Sequence, residues 1–138
     1  MQNTIPAITG SSIAPLLLTS KWEPFQDRII QLKANEKNES SDTGGWELNV
    51  DPEKLHTYSQ QVECAGIKED SIFFVDLSLT EKEYDTKDKI ITAQEDWAFI
   101  SKVISANNQL IFYIYENAVP SIDLTVTVRF ANTDNMTV

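Results

Sequence analysis

The densest group of potentially reactive side chains is a run of carboxylates. Glu81, Glu83, Asp85 and Asp88 are interspersed with lysines over eight residues. Oxygen ligands at alternate positions can wrap a hard cation such as Ca²⁺, but an EF-hand loop also needs a glycine for its sharp turn, and this run has none. Paired carboxylates catalyse where burial separates their pKa values, and a mixed-charge segment gives no reason for burial. We therefore expect neither a metal site nor a catalytic pair here.

Other residue types that carry enzyme chemistry are scarce. His56 is the single histidine, so no site can use two imidazoles, and no serine lies in a nucleophile-elbow motif. The four glycines form no phosphate-binding motif. The lone cysteine, Cys64, can form no intramolecular disulfide and is expected to be a buried apolar residue. These features predict a protein without catalytic residues and without a cofactor.

Three tryptophans, at positions 22, 46 and 97, could line a sugar-binding site, because aromatic rings offer flat apolar platforms. Large aromatic side chains also dominate the cores of small β-proteins. We expect Trp46 and Trp97 in the core. Trp22 lies beside Pro24 and Phe25 and is the better candidate for a contact with a partner.

Size and charge limit the possible function classes. The 138 residues suffice for one core, and the net charge of -10 would repel nucleic acid. The longest apolar runs are too short to span a bilayer, and the N-terminus has no signal-peptide pattern. We expect an acidic protein, made in the cytoplasm, that binds neither nucleic acid nor membrane.

Strand periodicity is the strongest structural pattern. Across residues 122–130 apolar side chains alternate with polar ones without exception, which predicts a strand with one buried and one wet face. A tight turn is predicted at Asn107–Asn108, a charged loop at residues 80–89, and a short helix after a capping box at residues 92–95. Further strands are predicted at residues 13–20, 26–33, 46–50, 71–79, 102–106 and 110–115.

One segment is ambiguous. Asp51, Pro52 and Glu53 could start a helix that ends at Gly66, while the rival interpretation makes residues 58–64 a strand. Local signals slightly favour the helix. The predicted fold is mainly β, a β-sandwich of short antiparallel strands with one or two short helices and an extended N-terminal arm.

The predicted organisation has four parts. Residues 34–45 contain no large apolar side chain and have the composition of a linker. They separate an arm at 1–33 from a β-sandwich domain at 46–131, and a frayed tail follows at 132–138.

The arm is too short to bury a core of its own. Its apolar side chains therefore need a partner surface, either the domain of the same chain or another subunit. On the second alternative, the residues expected to contact the partner are Ile13, Leu16, Leu18, Trp22, Phe25 and Ile29.

From residue 45 onward, the order of strand, turn and proline positions resembles that of a known protein family. The matching positions are residues 58–62, 66–71 and 72–77, Trp97, Val103, Ala106, residues 110–112, and a closing Pro-x-x-Asp-hydrophobic segment at 120–128. In these features the chain resembles small virion-associated proteins of tailed bacteriophages and prophages of Gram-positive bacteria. The resemblance covers the C-terminal two-thirds and excludes the arm and the charged segment 81–89.

The resemblance implies a non-enzymatic β-domain on the virion, which assembles in the host cytoplasm. We expect a capsid decoration protein anchored by its N-terminal arm. The alternative is a tail- or baseplate-associated fibre or a receptor-binding module that recognises a glycan. The implied partners are the major capsid protein or tail and baseplate proteins, and self-association as a homo-oligomer stays open.

Overall fold

The computed structural model describes residues 24–37 and 44–131. The chain divides into two compact units, one spanning residues 27–130 and the other comprising residues 1–26 with 131–138. Only residues 24–26 and 131 of the second unit are described. The predicted strand at 13–20 and the predicted tail at 132–138 lie outside the described residues.

The described residues form two antiparallel sheets and one helix, so the predicted mainly β fold is confirmed. One sheet has the strand order β1-β7-β4 and the other β2-β3-β6-β5. Both sheets contribute to one core, as in a β-sandwich. The elements are β1 (Phe25–Leu32), β2 (Glu47–Leu48), β3 (Tyr58–Glu63), β4 (Phe73–Leu77), α1 (Lys87–Trp97), β5 (Ile100–Ala106), β6 (Gln109–Ile114) and β7 (Leu124–Ala131).

The alternating segment near the C-terminus forms β7, the central strand of its sheet. Its apolar side chains are buried, and Thr127 and Arg129 are exposed as the period of two predicts. Thr125 departs from the pattern and is buried. Its hydroxyl donates to Glu83 at 2.9 Å and its backbone N–H to the Tyr84 hydroxyl at 2.9 Å, so the segment before the helix covers this end of the strand.

Strand β1 links the predicted arm to the core. Ile30 and Leu32 are buried, with 7% and 1% of their surface exposed, and the compact unit begins at residue 27, inside the segment predicted as the arm. The end of the strand is fastened by Gln60, whose side chain accepts from Lys33 N–H at 2.8 Å and donates to Lys33 C=O at 3.1 Å. Packing on the domain of the same chain therefore accounts for the two buried side chains.

Both ends of the predicted linker are bonded to the domain. The Ala34 N–H donates to the Asp123 carboxylate at 2.7 Å, and Glu36 forms a parallel bridge with Trp46. A Cβ at Gly44 would lie 2.3 Å from the carbonyl oxygen of Glu36, so this close approach requires glycine.

Helix α1 begins earlier than predicted. Thr86 is its N-cap, and the Thr86 hydroxyl accepts from the backbone N–H of Lys89 at 3.2 Å. The prediction that the helix starts at the capping box 92–95 is wrong. Ile90, Ala93 and Trp97 form an apolar stripe that packs against the core, and Ile90 lies before the capping box, so the helix has to begin earlier. The C-terminal part of the predicted loop 80–89 is therefore helical.

Two local predictions are decided by the structure. Residues 58–63 of the ambiguous segment form strand β3, paired with β6 along its whole length. The predicted turn at Asn107–Asn108 joins β5 to β6, and Asn108 has the positive φ of 63° that asparagine tolerates in hairpin turns. Cys64 is buried as expected.

Replacing Tyr84 with phenylalanine should destabilise the domain. The Tyr84 hydroxyl donates to Asp123 C=O at 3.1 Å and accepts from the Thr125 N–H, which is left without an acceptor when the hydroxyl is removed. We expect a loss of about 1–3 kcal/mol in the free energy of unfolding, measured with urea. Tyr115→Phe, at a residue 44% exposed, is the control and should change it by less than about 0.5 kcal/mol. Equal effects of the two variants would show that this bond pair does not stabilise β7.

Candidate docking surface

The sheet β1-β7-β4 has an outer face, on the side away from the core. Successive side chains of a strand point to opposite faces of the sheet, so each strand contributes alternate residues to it. These residues line a groove of about 800 Å³. We define the outer face by six residues, Asp27 and Ile29 on β1, Thr127 and Arg129 on β7, and Phe74 and Asp76 on β4.

Two large apolar side chains of the outer face are exposed. Ile29 has 74% of its surface exposed and Phe74 has 66%. They lie on the two strands that flank β7, so they border the groove from opposite sides. Ile72, 70% exposed, lies just before β4. Apolar side chains grouped on a rigid sheet with a polar border are typical of a protein contact surface.

An ion pair crosses the middle of the outer face. Arg129 donates from Nε to Asp27 Oδ1 at 2.7 Å and from Nη2 to Oδ2 at 3.1 Å, a two-bond geometry that orients both side chains. Phe74 lies directly opposite Arg129 in the β4–β7 register. Aromatic, ionic and aliphatic groups therefore follow one another across the three strands.

The ion pair makes this part of the surface sensitive to acid. The hydrogen bonds from Arg129 hold the pKa of Asp27 below its ordinary value. A carboxylate whose pKa is lowered by folding stabilises the fold above its unfolded-state pKa, and this contribution disappears as the pH falls through the folded-state pKa. Above that range the two charges compensate each other, so the centre of the outer face carries little net charge.

The structure places two of the six partner-contact residues predicted from the sequence. Ile29 belongs to the outer face, and Phe25 is the first residue of β1, with 45% of its surface exposed. Their role in binding stays a prediction. The other four, Ile13, Leu16, Leu18 and Trp22, lie outside the described residues.

Sequence reasoning missed Phe74. The signal was the run Ile-Phe-Phe-Val at residues 72–75, because four consecutive apolar residues in a strand cannot all face the core. Phe73 and Val75 pack against the core, while Ile72 and Phe74 are exposed.

The two tryptophans within the described residues, Trp46 and Trp97, both pack in or against the core. Trp46 is fully buried, and Trp97 is half-buried against the core. The Trp46 indole N–H is buried without a hydrogen-bond partner among the described residues. Trp46 therefore cannot serve as an exposed sugar platform.

The carboxylate run has structural contacts. Glu83 accepts from Thr80 and Thr125, and Asp85 pairs with Lys89 at 2.9 Å. Within residues 24–37 and 44–131, no three His, Cys, Asp or Glu side chains are placed to hold a metal ion. Burial raises the pKa of the Cys64 thiol, which disfavours the nucleophilic thiolate.

No helix among the described residues has the length and apolar character needed to cross a membrane.

Comparisons with known proteins give no match for this chain. No protein-family model matches it, and neither do the curated proteins or the solved structures.

Proposed function

We propose that this chain is a non-enzymatic structural protein of a bacteriophage particle, and specifically a capsid decoration protein anchored by its N-terminal segment. The observation that carries the proposal is the outer face, where Ile29 and Phe74 are exposed on a hydrogen-bonded sheet. The predicted arm at residues 1–33 includes β1, the strand that contributes Ile29 to the outer face.

The chemistry of the outer face suits a protein partner. Burying the two exposed apolar side chains would contribute about 1.5–3 kcal/mol each. The Asp27–Arg129 pair is already formed, so a partner that covers it meets two compensated charges instead of one unpaired charge. Both features favour docking onto a surface of protein with matching shape.

The net charge of -10 supports the same function. Many copies of an acidic subunit repel one another in solution, which delays self-association until a scaffold offers a complementary surface. The partner on this proposal is the major capsid protein. A tail or baseplate protein is the alternative, and the same outer face would serve either one.

The composition of purified particles tests this function. We expect gradient-purified particles of the encoding phage to contain the chain at a fixed ratio to the major structural proteins, as measured by quantitative mass spectrometry. Separated heads should retain it. Retention by tails instead would favour the alternative location, and recovery only in the particle-free lysate would contradict a virion role.

A further inference from the structure

The outer side of the second sheet carries an aromatic groove that the proposed function does not use. The groove has a volume of about 310 Å³, at the lower end of the range of ligand sites. It lies between the end of the β2–β3 loop and strands β5 and β6. The residues that matter for its chemistry are Glu53, Lys54, His56, Lys102, Tyr113 and Tyr115.

Two neighbouring strands and one loop bring the floor of this groove together. Lys102 on β5 lies directly opposite Tyr113 on β6, so their side chains share a face of the sheet. The rings of His56 and Tyr113 have centroids 4.6 Å apart and are tilted by 58°. Tyr115, two residues beyond Tyr113, is 44% exposed. The result is a row of partly exposed aromatic rings beside the ammonium group of Lys102.

The loop that carries His56 is fixed by hydrogen bonds before any ligand arrives. The Asn49 side-chain amide donates to His56 C=O at 2.9 Å, and the Asn49 N–H donates to Thr57 C=O at 2.8 Å. Thr57 N–H in turn donates to Ile114 C=O at 2.8 Å. These bonds order the backbone on both sides of His56, which lowers the entropic cost of binding.

The charge of the aromatic groove is opposite to that of the protein. The chain has 21 acidic and 11 basic residues, yet this groove is lined by Lys54 and Lys102 with Glu53 as its single carboxylate. Within the described part of the chain, neither lysine forms an ion pair. Two unpaired ammonium groups around an aromatic floor would attract an anion that also has an apolar face.

We propose that the aromatic groove binds an acidic saccharide, with the sugar ring on Tyr113 and Tyr115 and its acid group between Lys54 and Lys102. The apolar C–H face of a sugar ring packs on aromatic rings, and Glu53 can accept hydrogen bonds from sugar hydroxyls. A nucleic acid also combines rings with anions, but the net charge of -10 opposes a polyanion of that charge density. This site is independent of where the protein sits on a particle.

Calorimetric titration of the full-length chain with trigalacturonic acid tests the proposal. We expect saturable binding that weakens as salt is raised, because the lysines are exposed to screening. Maltotriose, which has sugar rings without acid groups, should bind more weakly. Tripolyphosphate, which has charge without rings, should also bind more weakly. Equal binding of either control probe, or no heat of binding with trigalacturonic acid, would overturn the proposal.

Substitutions then locate the site. Tyr113→Ala should lower the affinity for trigalacturonic acid about tenfold and Tyr113→Phe much less, because the ring provides the packing surface. Lys102→Gln should lower it about threefold and reduce its salt dependence. Lys68→Gln removes the same charge outside the groove and should change nothing. If Tyr113→Ala does not fold, Tyr115→Ala takes its place, and unchanged affinity in the folded variants would overturn the assignment.

Discussion

Truncation of the chain to residues 34–138 is expected to unfold the β-domain, whereas truncation to residues 24–138 is expected to leave it folded. The longer deletion removes β1, and with it the buried side chains of Ile30 and Leu32. Loss of one buried Leu or Ile side chain typically costs about 2–5 kcal/mol, against a total stability of about 5–15 kcal/mol for a domain. The shorter deletion leaves the compact unit 27–130 intact.

Circular dichroism and urea unfolding measure the outcome. Leu32→Ala in the full chain isolates the contribution of one buried side chain and should cost about 2–5 kcal/mol. Ile29→Ala, three residues away on the same strand but 74% exposed, is the matched control and should cost less than about 0.5 kcal/mol. Cooperative unfolding of 34–138 at an unchanged midpoint would mean that β1 does not belong to the folding unit.

Placing charges on the outer face is expected to abolish attachment without unfolding the protein. We predict that the double variant Ile29→Asp, Phe74→Asp binds particles lacking this protein at least about 100-fold more weakly than the unmodified chain. The two side chains would each contribute about 1.5–3 kcal/mol when buried by a partner, and each introduced carboxylate would have to be desolvated there. Both are largely exposed, so the fold should keep its stability.

The control for this experiment is Val50→Asp. Val50 is 85% exposed in the loop between β2 and β3. Its substitution also replaces an exposed apolar side chain with a carboxylate, but away from the outer face. It should bind as tightly as the unmodified chain. If Val50→Asp weakens binding as much as the double variant does, added negative charge alone explains the loss and the outer face is not the docking surface.

Most strands could be predicted from the sequence because their periodicity is local. The alternation at 122–130 identified β7, and the asparagine pair identified the β5–β6 turn. The helix start was missed because the capping box at 92–95 is a local signal, whereas packing of Ile90 against the core places the start after the Thr86 N-cap, in a segment predicted as a loop. The choice between helix and strand for residues 58–63 was also ambiguous. Pairing with β6 makes this segment strand β3, and pairing between distant segments is not visible in a local window of sequence.

Only part of the outer face could be predicted from the sequence. Ile29 could be named as a partner contact because its segment was short of partners, but Phe74 looked like another core residue of an apolar strand. The pairing of Asp27 with Arg129 joins residues 102 positions apart, which no local pattern predicts. The aromatic groove likewise depends on the register that sets Lys102 opposite Tyr113.

The most direct measurement of the central claim is a saturation experiment with the unmodified chain. Purified protein would be added in increasing amounts to particles from a phage in which its gene is deleted, and bound copies would be counted after sedimentation. Attachment to a repeated site on the virion predicts a plateau at a fixed number of copies per particle, equal to the number on unmodified particles. Absence of binding, or binding that rises without a plateau, would contradict the proposal that this chain is a structural protein of the virion.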